Sequence, residues 1–123
     1  MLKFADVEGK VRELAAANPT YVYRADPNAY LGRCEYRPNS VQPGCVFGQA
    51  LIALGAEIPA EWEGRGIVQL YGLLGIEATF VQKRWSETLQ FNQDRNSSWG
   101  TALKMADEAW PLTGDNEPVA VAV

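Results

Sequence analysis

The sequence predicts an α+β fold: a mainly helical single domain of about five short helices carrying a two-stranded β-hairpin. Apolar residues recur at three- and four-residue spacing in several separate stretches, which is the signature of helices burying one face. Two segments of strand composition, residues 21–24 and 31–37, flank the turn signal Asp26-Pro27-Asn28 and read as the hairpin. Eleven glycines and seven prolines in 123 residues break the chain between these stretches. That length suits one core, so residues 1–111 are expected to form a single domain and residues 112–123 a flexible tail.

The first helix is expected over residues 3–17, where Phe4, Val7, Val11, Leu14 and Ala15 share a face. Asn18-Pro19 ends it, because proline disfavours a helical residue before it. In the second strand, alternation places Arg33, Glu35 and Arg37 on one face and Cys34 and Tyr36 on the other. Pro43-Gly44 opens a helix carrying Phe47, Ala50, Leu51 and Leu54, stopped at Gly55. A further helical stretch is expected from Ile58-Pro59, interrupted by Gly64 and Gly66. Ile67, Leu70, Tyr71 and Leu74 repeat the helical spacing and stop at Gly75. Thr79 and Gln82 stand at capping-box spacing before a helix over 80–93 that should bury Val81, Trp85, Thr88 and Leu89. Ser98 caps a last helix with Trp99, Ala102, Leu103, Ala106 and Trp110 on one face, ended by Pro111.

The chemistry is constrained above all by the absence of histidine, the usual general base near neutral pH and the commonest metal ligand. Cys34 and Cys45 leave a tetrahedral zinc site half empty, so neither metal nor cofactor is expected. A disulfide between hairpin and helix start is a second reading of the pair, and two buried reduced thiols the preferred one. Cys45 at a helix start has the position of an activated nucleophile but no histidine to serve it. Glu57, Glu61 and Glu63 read as charge at a helix start, and Asp107-Glu108 as a solvated face. Gly64-Arg65-Gly66 is not a phosphate loop. A net charge of −4 with no basic stripe argues against nucleic acid. No apolar run approaches a membrane span, and the first ten residues lack a signal-peptide block, so a cytoplasmic protein is expected.

The run Cys34-x-Tyr36 followed by Pro43-Gly44-Cys45-x-x-Gly48-x-Ala50-Leu51-x-x-Leu54-Gly55 resembles a segment of small uncharacterised proteins of actinobacteria and their bacteriophages. The later Asp94…Trp99-Gly100-x-Ala102 run resembles that group as well. The resemblance implies no activity and no catalytic residues. It implies a setting in which a small phage protein binds a host protein.

The functional expectation is therefore a non-enzymatic protein-binding protein, whose partner is another protein of host or phage. The expected contact surface combines Arg24, Arg33 and Arg37 with Tyr21, Tyr23 or Tyr30, since Arg and Tyr are frequent interface anchors. The apolar end of the acidic tail, residues 119–123, is a second candidate, as a strand added to a partner's sheet edge. The alternatives are a DNA-binding module built from two short helices and an enzyme using Cys45 or carboxylates. Too long a connection and no basic recognition helix weaken the former, and the missing base weakens the latter.

Overall fold

A computed structural model describes residues 2–24, 35–38 and 44–112. Among these, the chain is helical: α1 (Phe4–Ala17), α2 (Val46–Ala53), α3 (Ile67–Leu74), α4 (Phe80–Asp94) and α5 (Trp99–Ala109), with one 3₁₀ turn at Ala60–Trp62. α1 packs on α2 and α5, and α4 packs on α3 and α5. Two helix starts follow their sequence signals. Thr79 Oγ1 accepts the N–H of Gln82 at 3.1 Å while the Thr79 N–H donates to Gln82 Oε1 at 2.8 Å, closing a capping box. Ser98 Oγ accepts the N–H of Thr101 at 3.2 Å. α3 stops at Gly75, whose φ of 73° is the left-handed conformation that glycine adopts without a Cβ penalty.

Among the described residues the fold is mainly helical, and the expected α+β class with a hairpin is corrected. No sheet forms among the described residues, where the only β contact is an isolated antiparallel bridge between Val22 and Ser98. The reason lies in where the backbone of residues 19–22 spends its hydrogen bonds. The carbonyls of Pro19 and Tyr21 accept the N–H groups of Gly100 and Trp99, each at 2.9 Å, so this extended segment covers the orphan donors of the α5 N-terminus. Strand composition is here serving a helix end. Four of the seven residues of the expected second strand, 31–34, lie outside the described residues, and Tyr36 beyond them is pinned as a core plug.

The core is aromatic and edge-on. Phe4 meets Tyr71 and Trp85 at centroid distances of 6.1 and 5.8 Å, and Phe47 meets Trp85 at 6.5 Å, all near perpendicular. Tyr36 enters this core beside α2 because Gly48 has no side chain. A Cβ there would lie within van der Waals overlap of the Tyr36 backbone, at 2.5 Å from its Cα.

The face that α4 turns inward carries polar groups that the periodicity of apolar residues does not mark. Gln82, Ser86, Gln90 and Gln93 are buried with Trp85 and Leu89, while the expected core positions Val81 and Thr88 are only half-buried. Each of the last two glutamines closes the start of another helix. Gln93 Oε1 accepts the N–H of Val46 at 2.7 Å and the indole N–H of Trp99 at 3.2 Å. Gln90 Oε1 accepts the N–H of Ile67 at 2.9 Å, and its Nε2 donates to the Tyr36 hydroxyl at 2.8 Å, which donates to the Arg65 carbonyl at 2.6 Å. The residues preceding α2 and α3, Cys45 and Gly66, supply no side-chain cap, so α4 caps both helices from across the core.

Gln93→Leu keeps the volume and removes the acceptor of two buried donors. The expected loss is about 1–3 kcal/mol for each orphaned N–H, read from urea unfolding. A loss below about 0.5 kcal/mol would mean that the donors find water.

Candidate functional site

α4 presents two opposite faces. At about 100° per residue, Trp85 and Leu89 point to the core while Phe80, Arg84, Glu87 and Phe91 share an arc of about 60° on the other side. Phe80 and Phe91 are 66% and 58% exposed, the largest exposures among the described large hydrophobics. Between them Arg84 and Glu87 form a loose ion pair at 3.5 Å, each about half exposed. The guanidinium of Arg84 also lies 5.1 Å from the Trp110 ring centroid, and Trp110 meets Phe80 edge-on at 5.9 Å. Arg95 covers one side of Phe91 at 5.0 Å.

Beside Phe91 an open groove of about 500 Å³ runs between the start of α3 and the outer face of α4. Half-buried Val68 lines one wall, and Glu87, Phe91 and Asp94 the other, with Arg65 at the end. Gln90 belongs to the groove as well, but its amide is spent on Ile67 and Tyr36. An apolar wall with both signs of charge around it suits an apolar side chain carried by a polar partner.

The residues expected to form the contact surface fall in different environments. Tyr23 is 1% exposed, and its hydroxyl accepts the Glu35 N–H at 2.8 Å, with burial pushing its pKa up. It is a core residue and offers nothing to a partner. Tyr21 is half-buried, edge-on to Trp99 at 4.7 Å. Arg24 and Arg37 are exposed, and the backbone N–H of Arg37 donates to Glu63 Oε2 at 3.0 Å. Tyr30 and Arg33, like the tail residues 119–123, lie outside the described residues.

The acidic residues also take different parts. Glu63 does not serve a helix start: its carboxylate clamps the backbone of residues 36 and 37, accepting the Tyr36 N–H at 2.8 Å as well. Asp107 does not belong to a solvated face. Arg12 grips it with two 2.8 Å bonds, Trp85 Nε1 donates to it at 2.9 Å, and Arg12 Nε donates to Glu8 at 2.8 Å. The Arg12 guanidinium holds the Asp107 carboxyl below its ordinary value and is itself held more firmly charged. This cluster ties α1, α4 and α5 together.

Cys45 is disulfide-bonded and fully buried, which corrects the expectation of a reduced thiol there and removes it as a nucleophile in this state. The chain's only other cysteine, Cys34, lies outside the described residues. No group of three or more His, Cys, Asp or Glu side chains among the described residues is arranged to hold a metal ion. Comparison with protein-family models, with curated proteins and with solved structures finds no match to this chain, so its own geometry carries the functional reading.

The exposed stripe was written in the sequence as the 4-3-4 spacing of Phe80, Arg84, Glu87 and Phe91. It is overshadowed there by the stronger Trp85–Leu89 pair on the opposite side.

Two outcomes test this electrostatic and redox picture. The Asp107 pKa is depressed below 3.8, so its pairing stabilises the fold above that pH and the contribution is lost as pH falls through the folded value. The stability gap between wild type and Asp107→Asn, followed by urea unfolding, should hold near neutrality and narrow as pH drops below 3.8. A gap unchanged down to pH 2 would contradict the assignment. Separately, denatured protein purified without reductant should show no alkylatable thiol at Cys45 until a reductant is added. Immediate labelling would show that the disulfide is not formed.

Proposed function

We propose that this chain is a protein-binding protein that acts through an interface and not through turnover, and that its contact surface is the outer face of α4 with the adjoining groove. One observation carries the reading: two phenylalanines, 66% and 58% exposed, stand on one stripe of a well-packed helix beside an open groove of about 500 Å³. Single exposed apolar residues are ordinary, but aromatics aligned with arginines beside a concavity are the make-up of interface hot spots. The buried hydroxyls give the reading further support, since they are committed to the fold. Tyr71 and Ser86 bond each other at 2.8 Å, and the Ser86 hydroxyl donates to the Gln82 carbonyl at 2.9 Å.

No helix among the described residues is long and apolar enough to cross a membrane. The Cys45 disulfide supports an oxidising setting in place of the expected cytoplasmic one, because such bonds seldom persist among cytosolic reductants.

A photo-crosslinking residue placed at position 91 should trap a protein adduct in expressing cells. The same residue at exposed Ala16 on α1 should not, and Phe80→Glu should abolish the position-91 adduct without lowering the melting temperature. No adduct of any kind from position 91 would end this reading.

A further inference from the structure

The α4 stripe is self-complementary, and we infer that its partner is a second copy of this chain, packed antiparallel across a two-fold axis at the middle of α4. The inference rests on the proposed use of this face for binding and adds the identity of the occupant. Phe80 and Phe91 lie equally far from the point between Trp85 and Ser86, and so do Arg84 and Glu87. A two-fold axis level with that point, beside the helix on its outer side and perpendicular to it, sets Phe80 of each protomer against Phe91 of the other. It also sets each Arg84 against the other protomer's Glu87. Isologous interfaces require this reciprocity: residue i meets j while j meets i.

Three further features favour this occupant. The 4-3-4 spacing is the a/d pattern of helices that pack side by side, and in an antiparallel pair a positions face d positions. Opposite charges at the central positions match in this orientation, whereas a parallel pair would set Arg84 on Arg84 and Glu87 on Glu87. The groove adjoins Phe91, at the end of the stripe where the other protomer's Phe80 arrives. The two phenylalanines are separated by about 16 Å of helix, so each protomer offers one aromatic knob and, that distance away, one receiving wall. The loose 3.5 Å pair of Arg84 and Glu87 within one chain is free to exchange for the crossed pairs.

Charge reversal tests the pairing on the 123-residue chain by analytical ultracentrifugation. Wild type should sediment as a dimer. Arg84→Glu and Glu87→Arg should each raise the dimer dissociation constant about tenfold or more, because each sets like charges together. Helical content by circular dichroism should be unchanged, since both side chains are about half exposed. Mixing the two variants in equal amounts should restore a dimer, now a heterodimer with all charges matched, which no effect within one chain can produce. Wild type that stays monomeric, or variants that fail to recover on mixing, would overturn the inference. If wild type is monomeric while position 91 traps a different protein, the self-association is wrong and the binding face stands. If position 91 traps nothing, the binding face itself is wrong.

Discussion

Two side-chain amides hold the arrangement together. Gln90 and Gln93 reach from α4 to the first N–H groups of α3 and α2, and neither of those helices has a cap of its own. A short helix with an open N-terminus in a dry core would leave backbone donors unsatisfied at a cost of about 1–3 kcal/mol each. The glutamines remove that cost and in doing so fix where α2 and α3 begin. The Tyr36 hydroxyl extends the same network to Arg65, so the rotation of α4 about its axis is set by polar geometry as much as by apolar area.

Because that rotation is fixed, the outward stripe is fixed too. With the amides of residues 90 and 93 and the indole of Trp85 turned inward, Phe80 and Phe91 have no route to the core. Their exposure follows from the register of the buried network and is not slack packing. The Arg12–Asp107 pair secures the opposite side, where the Trp85 indole N–H emerges onto the carboxylate. Trp85 is thereby apolar at its ring and hydrogen-bonded at its nitrogen, the arrangement that lets indole be fully buried.

Periodicity made the five helices legible, and cap residues made several of their ends legible. Thr79, Ser98 and Gly75 act where the sequence placed them because capping is local chemistry. The failure of the expected hairpin could not be foreseen from local signals. Tyr21 to Tyr23 have strand propensity, but their pairing was decided by the α5 N-terminus some 75 residues away in sequence. Buried glutamines were invisible for a similar reason: glutamine counts as polar until a partner N–H is known to face it. Asp107 misled for the same cause, since its arginine lies on α1, 95 positions earlier. The candidate site was partly legible, as the Phe80 to Phe91 spacing shows. Attention to arginine and tyrosine drew the expectation toward Tyr23, which the core claims.

The neck formed by Tyr23 and Glu35 bears on which substitutions this chain tolerates at position 35. The Tyr23 hydroxyl accepts the Glu35 N–H at 2.8 Å, and the Glu35 carbonyl accepts the Cys45 N–H at 2.9 Å, so the chain is fastened to the helical body on either side of residues 25–34. Both bonds use the main chain of residue 35, its N–H and its carbonyl, so an ordinary side-chain change at that position keeps them. Proline is the exception: it has no N–H to give, and the buried Tyr23 hydroxyl would lose the donor that faces it.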